Sequence, residues 1–330
     1  MRITVLGGGS WGTALAHICA GKGHKVTILV RREELATEIR GTHTNERYLP
    51  GCHLHLDVTA TTDGHAALTQ AEICILAVPC QHMRQTLRAL AGVIPKNAHL
   101  VCASKGIERE SQAFMSRVVT EEIPYSALRY SVLSGPSFAK EVLLGLPTAV
   151  VLGCADTDTG EYLREQLSTA HFRVYSNPDV IGVECGGAMK NVIALAAGIC
   201  DGLGFGHNAR AAVITRGLAE MGRLGAGLNA NPATFMGLSG MGDLVLTCTG
   251  GLSRNRQVGL RIGNGEKLQD ILVSMPHVAE GIPTTDAAHA IAARLGIDLP
   301  VTDAMRRLLH GTISPMDAVR DLMTRALKEE

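Results

Sequence analysis

The chain has 330 residues, more than one ordinary core accommodates and enough for two domains. Apolar residues make up 46% and charged residues 19%, the balance of a folded globular protein. Thirty-one basic residues offset thirty-one acidic ones, so no broad positive field exists for nucleic acid or an anionic membrane, and any anion site must be local.

Taken in chain order, Ile3 to Leu6 reads as a buried strand, followed by Gly7-Gly8-Gly9-Ser10-Trp11-Gly12 and a helical run from Thr13 to Ala20. Gly21 to His24 breaks that run, and Lys25 to Val30 reads as a second strand, which completes a βαβ unit. Continuous apolar strands are expected at Ile73 to Val78, His99 to Ala103, Tyr130 to Leu133, Thr148 to Leu152 and Phe172 to Tyr175. Uninterrupted apolar strands separated by helices indicate a mainly parallel sheet covered on both faces. Beyond about residue 186 the pattern is helical, over Ala188 to Cys200, Ala209 to Leu224, Thr285 to Leu295 and Thr302 to Leu309. The expected architecture is α/β, a doubly wound Rossmann-type sheet over residues 1–186 followed by an all-α C-terminal domain over residues 187–330.

Aromatic residues are only 3% and glycines number 37, so the core is aliphatic, with many close backbone approaches. Nine scattered cysteines form no CxxC pair and read as reduced core thiols of a cytoplasmic protein. Thirteen histidines include no HExxH pattern; His53 and His55 read as a surface loop, and no metal site is expected. The strand-like start after Met1-Arg2 argues against a signal peptide. The most apolar run, around Asn191 to Ile199, is taken as too short for membrane insertion.

Gly7, Gly9 and Gly12 satisfy GxGxxG between a strand and a helix, the context in which that pattern signifies dinucleotide binding. Gly7 permits the tight turn, Gly9 lets backbone N–H groups reach a pyrophosphate, and Gly12 allows close helix–strand packing. The second strand ends in Val30-Arg31-Arg32, where NAD sites tend to carry an acid. A guanidinium there pairs with a 2′-phosphate, which favours NADP(H). Glu33 and Glu34 follow, so NAD(H) use stays open.

Lys190 is the one charged residue between Glu184 and Asp201, on an apolar helix. Such a lysine is either a proton donor and acceptor for carbonyl reduction or a snorkelling side chain. Lys105 follows a strand and so lies at the carboxyl edge of the sheet, where doubly wound folds bind ligands. Gly250 to Arg256 offers flexible backbone, a hydroxyl, guanidinium groups and an amide, the donors a phosphate requires.

Several segments together resemble bacterial NAD(P)-dependent glycerol-3-phosphate dehydrogenases. They are Gly7 to Ala16, Asn45 to Gly51, Ala103 to Glu108, Leu133 to Ala139, Glu184 to Asn191, Gly237 to Leu244, Ser253-Arg254-Asn255 and Val278 to Gly281. The resemblance implies reversible hydride transfer between NADPH and dihydroxyacetone phosphate, giving sn-glycerol 3-phosphate for phospholipid synthesis. It places the general acid/base at Lys190. It implies substrate contacts from Lys105, Gly135, Ser137, Lys190, Asp243, Ser253, Arg254 and Asn255, with Asp243 on a substrate hydroxyl or on Lys190. To the cofactor it assigns Gly7, Gly9, Ser10, Trp11, Gly12, Arg31, Arg32, Tyr48, Lys105, Ala139, Arg254, Val278 and Glu280. Asn191 is a further candidate for a substrate or cofactor amide contact. A small-molecule substrate and a homodimer, formed through aliphatic helices of the second half, are expected. Two alternatives share these features: another dehydrogenase of this architecture, of the 3-hydroxyacyl-CoA or 6-phosphogluconate type, and a non-catalytic NADPH-sensing protein.

Overall fold

The computed structural model describes residues 1–275 and 279–324. The chain divides into two compact units. The first comprises Met1–Lys105 and Ala113–Glu184; the second comprises Gly106–Gln112 and everything from Cys185 onward. The seven residues after Lys105 thus pack with the helical unit, which sequence reading had placed wholly after residue 186. Arg109 pairs with Asp286 at 3.0 Å, and Arg294 donates to the Gln112 side chain at 3.1 Å.

The first unit is an eight-stranded sheet of β1 (Arg2–Leu6), β2 (Lys25–Leu29), β3 (Val58–Thr61), β4 (Ile73–Leu76), β5 (His99–Cys102), β6 (Tyr130–Ser134), β7 (Thr148–Gly153) and β8 (Phe172–Asn177). Their order is β3-β2-β1-β4-β5-β6-β7-β8. β1 pairs in parallel with β2 and with β4, matching Leu6 to Leu29 on one side and to Leu76 on the other. The strand order reverses at β1, so the crevice for a ligand opens at the carboxyl end of that strand. β4 is fully buried along its length, as a central parallel strand must be.

Two departures from the expected pattern have simple causes. β3 was not foreseen: Val58-Thr-Ala-Thr is a four-residue edge strand, with one neighbour and no apolar run. β7 runs antiparallel to β6. The intervening helix Ala139–Leu143 has five residues, about 7.5 Å of rise, too little to carry the chain back along a strand of about 17 Å.

The second unit contains no strand among its described residues. Its central helix, Val180–Gly202, starts eight residues before the expected Ala188. Asp179 accepts the Gly182 N–H at 2.9 Å and caps it. Gly182, Gly186 and Gly187 resemble breakers in sequence, but Gly186 is a packing position: a Cβ there would lie 2.5 Å from the Ser239 carbonyl oxygen. At 23 residues the helix is long and apolar enough to cross a bilayer, contrary to the expectation from the shorter run. Instead, 89% of its most apolar window is buried inside the protein, so it is a core helix.

Helix Arg254–Gly263 crosses this helix at backbone contact. A Cβ on Gly198 or Gly259 would collide with the carbonyl oxygen of Arg256 or Leu195, respectively. Gly202 and Gly263 lie at the same crossing. Asp201 braces the arrangement, bonding Arg256 at 2.6 Å and Arg210 at 2.9 Å. A buried carboxylate, Glu220, accepts the Thr302 N–H at 3.1 Å and its hydroxyl at 2.8 Å at the start of helix Pro300–Leu309. All nine cysteines are buried free thiols, and burial pushes those of Cys19, Cys74, Cys102 and Cys248 up to about 12.

Candidate active-site residues

The glycine turn follows β1 and opens helix Ser10–Gly21. Gly7 has φ +114°, and a Cβ on it would sit 2.7 Å from the Ala77 carbonyl oxygen beyond β4. A Cβ on Gly12 would strike the Gly7 carbonyl oxygen. Gly9 differs: among the described residues, nothing beyond its own stretch of chain lies within 4 Å of its Cβ position. Gly9 is also the helix N-cap, with no side-chain cap and no acid in the first turn. The first helical N–H groups beside Ser10 and Trp11 therefore face open space with partial positive charge. Trp11 Nε1 is buried without a hydrogen-bond partner. An open cradle, uncapped donors and an orphaned indole N–H fit a bound pyrophosphate and its dinucleotide.

Arg31 and Arg32 follow β2, are exposed, and make no ion pair among the described residues. Glu33, one of the two acids that follow them, is held by Arg40 at 2.6 Å and by Thr62 at 2.8 Å. Those contacts keep its carboxyl below the ordinary glutamate value. Tyr48 is half-buried against the sheet core, with the Arg47 guanidinium 5.7 Å from its ring centroid.

Lys105, Gly135, Ser137 and Ala139 meet at the ends of β5 and β6. Lys105 Nζ donates to the Gly135 carbonyl at 2.9 Å, and the Ser137 hydroxyl donates to the same oxygen at 3.0 Å. Gly135 has φ +122°, and a Cβ on it would be 3.0 Å from Val150 Cα, so no larger residue forms this turn. The Lys105 ammonium lies 6.0 Å from the Trp11 ring centroid, which links the lysine to the glycine turn. Ala139 begins the short helix that follows.

In the second unit Lys190 is 8% exposed and Asp243 1%. Lys190 Nζ lies 2.6 Å from Asp243 Oδ1 and donates to Thr247 Oγ1 at 3.1 Å. A π-helical turn, Leu238–Gly242, ends at Asp243 and delivers its carboxylate to the start of helix Asp243–Thr249. Lys190 is thus no snorkelling lysine: its ammonium ends on a buried acid. Thr247 was missed in sequence, although its i+4 spacing from Asp243 puts both on one helix face.

Ser253 caps helix Arg254–Gly263 by accepting the Arg256 N–H at 3.2 Å. That helix has no acid in its first turn. Arg254 is solvent-accessible, yet close protein lowers its guanidinium pKa while Glu280 acts in the opposite sense. Asn255 is buried and hydrogen-bonded within the unit. Its Nδ2 donates to Asn191 Oδ1 at 2.9 Å, and its Oδ1 accepts the Gly281 N–H at 2.9 Å. Asn255 and Asn191 therefore brace three helices. Glu280 immediately precedes helix Gly281–Leu295. Val278 lies outside the described residues.

A doubly wound sheet with a glycine-turn nucleotide cradle, joined to a helical unit carrying a buried lysine–aspartate pair, defines a dinucleotide-dependent oxidoreductase. Family profiles agree on the particular kind. The profile for the NAD-dependent glycerol-3-phosphate dehydrogenase N-terminus matches residues 2–160, and that for the C-terminus matches residues 179–320. A protein of Nitratidesulfovibrio vulgaris named glycerol-3-phosphate dehydrogenase [NAD(P)+] is 58% identical over 330 residues, covering all of both chains. One of the same name from Oleidesulfovibrio alaskensis is 56% identical, again over both full lengths. The crystal structure of glycerol-3-phosphate dehydrogenase from Coxiella burnetii superposes with a TM-score of 0.94 at 38% identity, covering 98% of this chain and 99% of that one. The chain belongs to the NAD-dependent glycerol-3-phosphate dehydrogenase family.

Proposed function

We propose that this protein catalyses reversible reduction of dihydroxyacetone phosphate to sn-glycerol 3-phosphate with NADPH, and with NADH as a second donor. The observation that carries this reading is the Lys190–Asp243 pair, an ammonium held 2.6 Å from a carboxylate with both side chains buried. When bound, a nicotinamide dinucleotide would supply the hydride for the substrate carbonyl carbon. Lys190 Nζ gives a proton to the oxygen that becomes negative, and takes it back in the reverse direction. Asp243 and Thr247 fix the direction of Nζ. Lys105, at the carboxyl edge of the sheet, serves as a further substrate contact. Arg254, the Ser253 hydroxyl and the N-terminus of helix Arg254–Gly263 bind the phosphate. Asn255 serves that segment chiefly as a brace. Glycines 7, 9 and 12, with Ser10, Trp11, Tyr48, Ala139, Val278 and Glu280, hold the dinucleotide. Arg31 and Arg32 take its 2′-phosphate. The reading includes a homodimer in the cytoplasm, supplying glycerophosphate for phospholipids.

The test follows absorbance of the reduced nicotinamide with purified protein. Oxidation of NADPH must depend on dihydroxyacetone phosphate and be absent with acetoacetyl-CoA. Binding of NADPH without turnover of either would favour a sensor instead. Lys190→Ala should abolish turnover while NADPH affinity stays within about twofold; near-normal kcat would refute the acid/base assignment.

A further inference from the structure

We infer that Asn45 is a positioning residue that aims the Gly8–Gly9 peptide of the nucleotide cradle, a role that rests on the dinucleotide reading above. Asn45 is fully buried, 16 residues beyond Leu29, the end of the strand that precedes the arginines. Its Nδ2 donates to the Gly8 carbonyl at 3.0 Å and to Thr13 Oγ1 at 2.9 Å. Both amide hydrogens are thus spent on the glycine turn and its helix. Its Oδ1 is buried with no partner. An orphaned acceptor is costly in a folded chain. Here the cost is tolerated because the reverse orientation would set Oδ1 against the Gly8 oxygen.

The consequence follows from peptide geometry. In a trans peptide the carbonyl oxygen of one residue and the N–H of the next point in opposite directions. Anchoring the Gly8 oxygen on Asn45 therefore turns the Gly9 N–H the other way. Neither glycine has a side chain of its own to hold this peptide. A Cβ on Gly8 would lie 2.6 Å from Val30 Cγ1, and around Gly9 the space is open. Two glycines in sequence leave the peptide free to rotate unless something grips it. Rotated, it would present a carbonyl oxygen to a pyrophosphate; gripped, it presents a donor. Asn45 also carries the next turn, since its own carbonyl accepts the Tyr48 N–H at 3.1 Å and the Leu49 N–H at 2.8 Å. That backbone role survives side-chain substitution, so the two functions separate.

The experiment uses the full chain with Asn45→Ala and the isosteric Asn45→Asp. It measures dissociation constants for NADPH and NADH by titration of dinucleotide fluorescence, together with kcat and both KM values. The expected result is about a tenfold rise in Kd for both dinucleotides, about 1.4 kcal/mol, with a larger rise for Asn45→Asp. At saturating dinucleotide, kcat and the substrate KM should stay within about twofold. Thr13→Val, which removes one acceptor and leaves the Gly8 bond, should raise Kd about two- to threefold, and stands in if either Asn45 variant fails to fold. A Kd within twofold of wild type in both Asn45 variants would overturn the inference. So would a loss confined to NADPH, which would place the effect at the 2′-phosphate, or a fall in kcat with unchanged Kd. Failure of the wild type itself to bind either dinucleotide would instead remove the functional reading beneath it.

Discussion

Replacing Asp243 by asparagine keeps the volume of a buried side chain and removes its charge. The Lys190 and Asp243 side chains are 10% and 1% exposed, so water replaces little of the lost interaction. Breaking a buried ion pair by removing one partner costs about 3–5 kcal/mol, because the other charge is left uncompensated. For a folding unit of this size each kcal/mol lowers the thermal midpoint by about 2–4 °C, so Asp243→Asn should melt about 6–20 °C below wild type. Turnover should fall at least about a hundredfold, since Nζ loses the group that aims it. The double variant Lys190→Met, Asp243→Asn removes both charges and should regain stability to within about 1 kcal/mol of wild type while staying inactive. Differential scanning calorimetry with the dehydrogenase assay measures both quantities. A midpoint within 2 °C of wild type for Asp243→Asn, or a double variant no more stable than the single one, would show that the pair is not the buried, mutually dependent unit argued above.

Other outcomes follow from the same geometry. Arg31→Glu should weaken NADPH at least about tenfold more than NADH, because only the former carries a 2′-phosphate; equal effects in titrations of the two would refute that assignment. Gly12→Ala should abolish measurable dinucleotide binding, since its methyl group meets the Gly7 carbonyl oxygen, and unchanged affinity would show that the turn can shift. Glu184 is buried and accepts Ser116 N–H, Ser116 hydroxyl and Tyr130 hydroxyl at 2.6–2.7 Å, and burial outweighs these donors to raise its pKa. A carboxyl with a raised folded pKa binds more protons folded than unfolded. Its stabilisation is complete below the unfolded value of about 4.3 and declines as pH rises through the folded one. Wild-type stability relative to Glu184→Gln should therefore decrease as pH rises from 4 in urea titrations; a constant difference would contradict the shift.

The features legible in sequence were those set by short-range pattern. The glycine turn, the apolar central strands and the lone charge at position 190 each stand out against their immediate neighbours. What stayed hidden depends on partners remote in the chain. Asn45 acquires its role from Thr13, 32 positions away, and Thr247 from Lys190, 57 positions away. The inward turn of Asn255 is set by Asn191 and Gly281, so a motif that looked like three ligand contacts contains a brace. β3 escaped notice because an edge strand needs no continuous apolar run. The early start of helix Val180–Gly202 escaped because glycine is ambiguous in sequence: it marks a break in one setting and a tight crossing in another.

That tight crossing has a further effect. Helices Val180–Gly202 and Arg254–Gly263 touch through main-chain atoms at four glycines, and the side-chain pairs Asp201–Arg256 and Asn191–Asn255 tie them further. One helix carries the Lys190 ammonium and the other begins at Ser253 and Arg254, the proposed phosphate site. On the proposed reading, the spacing from proton donor to phosphate is therefore a gauge written in backbone dimensions. It would admit a substrate of one length and misalign a homologue longer by a single carbon, even where every contacting group was unchanged.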